Sequence, residues 1–311
     1  TAAVLNVIVG GGIFRLPASL GETLGPAAPT AFLLGALAIV PIALCFAAAG
    51  SRVASSGGPY SYVDAAFGPF AGFVAGALMW ICNIASSAGV AAALADQAGA
   101  AWPALQSPAA RAAFLIAVYG SLIALNAFGV RLGARAIVVL ATMKLTPLFV
   151  LAAVGLCFVD LSQVQWTGIP SWDALGLSMV MVIFAYSGAE TALIPGAEVR
   201  DPSRDVPRAT LAATALVILL YVSIQVVAFG LLGPALATSH APLADAAGTL
   251  WTPGRTLLLI TAGISMLGFL MGNLLGTSRV VFALGRDGVL PTALGRVTAK
   301  HRVPLAAVLT H

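Results

Sequence analysis

The chain has 311 residues, of which 60% are hydrophobic and only 8% charged, and its mean hydropathy is +1.01. A soluble domain carries about 25% charged residues, so this composition excludes a water-exposed globular fold and implies a surface covered by lipid. The formal net charge of +4 does not point to nucleic acid, because the basic residues lie in short loops between apolar spans and no basic run is interleaved with aromatics.

A membrane-spanning helix needs about 20 apolar residues. The first apolar segment begins at Thr1 and contains Val9-Gly10-Gly11-Gly12-Ile13-Phe14, then Pro17. Uncharged runs over 26–50, 70–95 and 112–130 follow. The run 136–159 is interrupted by Lys144, and 174–197 contains Glu190. Runs over 209–232 and 256–278 bring the expectation to eight spans, with a ninth starting near Pro304. The chain opens already apolar and closes on a fresh apolar run at Val308-Leu309, so both ends read as cut through helices.

Two spans are irregular. The first carries the glycine triplet, and the sixth carries Phe184-Ala185-Tyr186-Ser187-Gly188-Ala189-Glu190 followed by Pro195-Gly196. Glycine costs about 1 kcal/mol in a helix interior relative to alanine, so three in a row predict a broken helix, with close helix packing as the alternative. Broken backbone at membrane depth is tolerated only where protein or a water-filled cavity covers it. Breaks at corresponding positions in two halves of a chain are the sequence pointer to a transporter's binding site.

The loops set the expected orientation. With a cytoplasmic N-terminus, Arg52, Arg131, Arg135, Arg200, Arg204, Arg208, Arg279, Arg286, Arg296, Lys300 and Arg302 fall on the inner side, and only Arg15, Arg111 and Arg255 on the outer. This is the positive-inside bias of a cell-membrane protein. Cys45, Cys82 and Cys157 each sit in an apolar stretch and are expected to be small buried packing residues. Without a CxxC or a His/Cys cluster, neither a disulfide framework, a metal site nor a cofactor is expected.

A substrate with both an amino and a carboxyl group suits paired breaks. Exposed N–H groups at a half-helix N-terminus, here Gly11 and Gly12, attract a carboxylate. Unpaired carbonyls around Phe184 and Ser187 attract an ammonium. Lys144 is expensive inside a membrane; it either faces the bundle interior, where it can exchange a proton, or snorkels to the interface. Glu190 is either a proton carrier or a partner for backbone N–H groups freed by the break. Asn83 and Asn273 are interhelical glue or pocket lining. Phe184 and Tyr186 are packing residues or close the site.

The motifs Val9 to Pro17, Gly57-Gly58-Pro59-Tyr60, Phe184 to Glu190 with Glu198-Val199-Arg200-Asp201-Pro202, and Arg286-Asp287-Gly288-Val289-Leu290-Pro291 occur in an order that resembles the amino acid–polyamine–organocation permeases. The resemblance implies an all-α transmembrane fold of the LeuT type, a five-plus-five inverted repeat with discontinuous helices one and six. Residues 1–159 would form the first repeat, and 160–311 an incomplete second one. It implies an amino acid transporter of the inner membrane, sodium-independent and proton-coupled as a symporter, with an exchanger or a non-transporting sensor as alternatives. It places the substrate carboxylate at Gly10, Gly11 and Gly12, and the amine at the carbonyl of Ile8 and near Phe184, Ser187 and Gly188. Asn83 matches a pocket asparagine, Glu190 a proton-sensing glutamate, and Lys144 a lysine that occupies the place of a sodium ion. Two departures stand out: Gly11 replaces a frequent serine, and Asn273 stands where arginine/agmatine antiporters have an aromatic, which argues against a stacked arginine-like substrate. A membrane enzyme is not expected, since no Ser–Lys dyad, GxSxG or HExxH accompanies the breaks. The expected partners are an amino acid, protons and lipid, with no nucleic acid and no indication of oligomeric state.

Overall fold

The computed structural model describes residues 2–53, 57–127, 130–160, 162–163, 170–192, 194, 201–298 and 303–310. All regular elements among them are helical: α1 (Ala2–Ile8), α2 (Leu16–Leu24), α3 (Ala28–Arg52), α4 (Pro59–Phe67), α5 (Pro69–Ala101), α6 (Pro108–Ala127), α7 (Val130–Gly155), α8 (Trp172–Tyr186), α9 (Ala189–Ala192), α10 (Pro202–Leu232), α11 (Pro242–Leu250), α12 (Thr252–Arg286) and α13 (Leu305–Val308). Prolines open many of them: Pro29, Pro59, Pro69, Pro202, Pro242 and Pro253 each lie at the first or second helical position. There the missing N–H costs nothing and the fixed φ is already helical.

Six helical stretches among the described residues are long and apolar enough to cross a membrane: Leu16–Arg52, Pro69–Ala101, Pro108–Ala127, Arg135–Gly155, Ser203–Thr238 and Thr252–Arg286. The two interrupted spans predicted from the sequence are not single helices: the first divides into α1 and α2, the latter running on into the stretch Leu16–Arg52, and the sixth divides into α8 and α9. The protein is thus an all-α membrane fold. Exposed Leu37, Phe70, Leu78, Ile81, Ile116, Val180 and Leu219 on its outside form the apolar surface that lipid requires.

The most apolar window of α12 is 61% buried and that of α6 only 6%, so α12 is central and α6 peripheral. α10 packs along α3, while α12 lies against α5, α7 and α11. Short α1 sits at the middle and touches α7, α9, α10 and α12. Behind it, Tyr186 and Tyr221 stack with centroids 5.5 Å apart, and Phe32 meets both edge-on. At one end of the bundle, Tyr60 on α4 donates to Asp287 Oδ2 at 2.9 Å, and the Gly57 amide donates to the Ile194 carbonyl at 3.1 Å. Burial, reinforced by Asp287, pushes the Tyr60 phenol up. Burial would also raise Asp287, but hydrogen bonds from Arg286 and Tyr60 prevail and hold it below the usual carboxylate range.

Two expectations are corrected and one pair of alternatives is resolved. Cys45, Cys82 and Cys157 are exposed, not buried; a thiol is apolar enough to face lipid and needs no protein cover. Of the two alternatives for Lys144, the interior one holds, because the side chain is fully buried. Arg279 is not in a loop but buried inside α12, since that helix continues well past its apolar window. The motif Glu198-Val199-Arg200, the pair Pro195-Gly196, and the basic residues Lys300 and Arg302 lie outside the described residues.

Candidate functional site

A helix leaves its last four carbonyls without intrahelical donors. In α1 those orphans lie at the centre of the protein, because the chain breaks at Val9–Gly11. The carbonyls of Asn6 and Ile8, and those of Val9 and Gly10 just beyond the helix, are met from three other helices. Lys144 on α7 donates Nζ to the Asn6 carbonyl at 2.6 Å and also to the Val9 carbonyl. Ser265 Oγ on α12 lies 3.1 Å from the Val9 oxygen and 2.9 Å from that of Gly10. Tyr221 on α10 donates to the Ile8 carbonyl at 3.1 Å, and the Gly10 amide closes onto the same oxygen at 2.8 Å. The negative end of a helix dipole favours a cation, so the lysine sits where broken backbone offsets its burial. Asn6 also donates its side-chain amide to the Gly268 carbonyl at 2.7 Å.

Beyond the break the backbone polarity reverses. Phe14 N–H bonds the Gly11 carbonyl and Arg15 N–H that of Gly12, but the amides of Gly11 and Gly12 find no acceptor among the described residues. A Cβ at Gly12 would meet nothing within 4 Å; this backbone faces open space.

The sixth-span break lies opposite. Ser187 ends α8, its amide donating to the carbonyls of Ile183 at 3.1 Å and Phe184 at 3.2 Å. Gly188 follows with φ +122, and a Cβ there would lie 3.2 Å from the Val7 backbone. Only glycine allows both that conformation and that approach. Glu190 reaches back so that both carboxylate oxygens accept the Gly188 amide, at 3.0 and 2.9 Å, which is the backbone-partner alternative of the two read from the sequence. Tyr221 is within 3.4 Å of the Ala185 carbonyl as well as bonded to Ile8, so one hydroxyl serves both breaks.

Between the breaks lies a cavity of about 380 Å³ whose wall includes Ile8, Gly10, Gly11, Gly12, Asn83, Phe184, Ser187, Gly188, Glu190 and Asn273. Every residue assigned to substrate from the sequence therefore borders one space. Lys144 does not line it; it lies behind the first-span break. A larger groove, about 670 Å³, runs along the outside of α7 past Thr142, Leu145 and Phe149, and is an open, mostly apolar surface lined by no charged side chain among the described residues. Asn273 is both lining and glue: its amide donates to the Asn83 carbonyl at 2.9 Å and to Ser87 Oγ at 2.8 Å, and its oxygen accepts from Thr277 at 3.3 Å. The Ile8 carbonyl already accepts two bonds, so an incoming amine would have to share it or displace one.

A family model described as "Amino acid permease" matches residues 1–311. The chain belongs to the amino acid permease family. The permease is 33% identical to Uncharacterized transporter Rv1999c of Mycobacterium tuberculosis, over 98% of this chain and 68% of that protein. It is 26% identical to the branched-chain amino acid permease BcaP of Bacillus subtilis, over 97% of this chain and 69% of that protein. A second M. tuberculosis protein, Uncharacterized transporter Rv1979c, is 27% identical over 97% of this chain and 68% of that protein.

Three residues of the permease's site were not singled out from the sequence: Asn6, Tyr221 and Ser265. The one available signal was a polar group inside an apolar span. Asn6 lies four residues before Gly10, which in a helix is one turn below the break.

Proposed function

We propose that this permease carries a free amino acid across the cell membrane by alternating access, without sodium and coupled to protons. Gly11 and Gly12 amides hold the substrate carboxylate, and the end of α8 around Phe184 and Ser187 receives the amine. In this reading residues 1–159 and 160–311 belong to two inverted repeats, and the N-terminus is cytoplasmic.

The observation that carries the proposal is the Lys144 amine bound to the Asn6 and Val9 carbonyls, with Ser265 on the same Val9 oxygen. Backbone carbonyls and a hydroxyl converging from a broken helix and α12 form an oxygen set suited to a small cation. A tethered ammonium fills it, so no sodium is needed there. Because the lysine can gain and lose a proton, it links the state of the first-span break to proton supply. Glu190, which holds the Gly188 amide, stands at the other break as the second proton-responsive group.

The purified protein tests this in a thermal-shift screen of the amino acids, run with sodium and with choline as the only monovalent cation. Stabilisation by one group of amino acids, equal in the two salts, is expected. Stabilisation only with sodium would refute the role of Lys144, and no stabilisation by any amino acid would refute the substrate class.

A further inference from the structure

We propose that Arg15 is a specificity-determining residue, an electrostatic filter that excludes amino acids with a cationic side chain from the cavity. The inference rests on the reading of that cavity as an amino acid site and narrows its substrate class to side chains without positive charge.

Arg15 borders the cavity and is exposed. It has no acidic partner among the described residues, unlike Arg111, Arg255 and Arg286, which pair with Asp96, Asp245 and Asp287. It stands three residues after Gly12, at the start of the nine-residue helix α2, where the helix dipole adds charge of the same sign. Glu190, the only carboxylate on the wall among the described residues, belongs to the sixth-span break, where both its oxygens accept the Gly188 amide. The rest of the described wall is uncharged: it includes apolar Val90, Met181 and Phe269 and the hydroxyls of Ser19 and Ser86, and the Asn273 amide is committed to Asn83 and Ser87. A cationic side chain lying towards the first break would meet the positive charge of Arg15, while the negative charge of Glu190 stands at the sixth-span break, where the substrate's own amine is received. Two like charges several ångströms apart in a partly enclosed site change affinity by roughly tenfold or more, and salt reduces the effect.

Norleucine, lysine and 2-aminoadipate have side chains of similar length ending in a methyl, an ammonium and a carboxylate. Their affinities are measured on the purified protein, wild type, Arg15→Gln and Arg15→Lys, at low ionic strength. The wild type is expected to bind norleucine at least roughly tenfold more tightly than lysine. Arg15→Gln should narrow that gap about tenfold and weaken 2-aminoadipate relative to norleucine, and Arg15→Lys should preserve both ratios. A general loss of carboxylate binding would move all three ligands together, so opposite signs for lysine and 2-aminoadipate identify a charge effect. Should Arg15→Gln not fold, the wild type alone decides, since its norleucine-to-lysine gap must shrink as salt rises from about 10 mM to about 1 M. Norleucine binding with an unmoved lysine ratio would overturn the filter alone. Binding of none of the three would overturn the amino acid site itself and the filter with it.

Discussion

Lys144 and Asn6, 138 residues apart in the chain, meet as side-chain ammonium and backbone carbonyl at 2.6 Å. The contact exists because the Gly10 amide, which would close the next helical turn onto Asn6, instead turns back to Ile8. Breaking the first span exposes an acceptor, and α7 supplies the donor.

Replacing Lys144 by methionine keeps most of the volume but leaves the Asn6 carbonyl buried without its donor, while Val9 retains Ser265. A buried acceptor without a partner costs about 1–3 kcal/mol. Lys144→Met is expected to lower the melting temperature and to reduce amino acid uptake more than tenfold, measured by thermal denaturation in detergent and by uptake into proteoliposomes. Wild-type uptake by the variant would separate this lysine from the transport cycle.

Tyr221→Phe removes one hydroxyl and keeps the ring that stacks on Tyr186. The lost bond to Ile8 is worth about 1 kcal/mol, so a small drop in stability is expected. Because the same hydroxyl stands between the two breaks, amino acid affinity should fall with it. Calorimetric titration of the variant reads this; unchanged affinity would mean that the breaks hold their spacing without Tyr221.

Two glycines predict opposite outcomes. A Cβ at Gly12 enters open cavity, so Gly12→Ala should fold with wild-type stability yet bind amino acid at least roughly tenfold more weakly, a loss of about 1.4 kcal/mol. Gly188→Ala meets both a positive φ and the Val7 backbone and should lose stability first. Melting curves with and without amino acid distinguish the two, and weakened folding in Gly12→Ala would place that backbone against protein instead of ligand.

Asp287 gives a pH dependence. Its folded carboxyl is held below the usual range by Arg286 and Tyr60, so its stabilisation is fully present above the unfolded value, near pH 3.9, and is lost as pH falls through the lower folded value. Asp287→Asn should lower the melting temperature at neutral pH and converge on the wild type in acid. Parallel melting curves for the two proteins at all pH values would contradict the assignment.

The spans were legible because a long uncharged run has few other uses, and the breaks because three consecutive glycines weaken a helix wherever they occur. Lys144 announced itself as a charge in hydrocarbon. Asn6, Ser265 and Tyr221 did not: a single polar residue in an apolar run does not say which carbonyl it will meet, since that depends on how α1, α10 and α12 pack. Hydropathy marked the apolar window of α12 but not its end at Arg286, because helical hydrogen bonding continues where lipid stops. Arg279 was misplaced for that reason, and the cysteines because facing lipid and facing protein favour the same small apolar groups.

In the proposed cycle a tethered ammonium on Lys144 serves at the first-span break in place of sodium. Amino acid uptake into proteoliposomes loaded and bathed in sodium-free buffer, with and without an imposed inward proton gradient, tests it most directly. Concentrative uptake that needs the proton gradient and is indifferent to added sodium is the predicted result; uptake that appears only when sodium is supplied would contradict it.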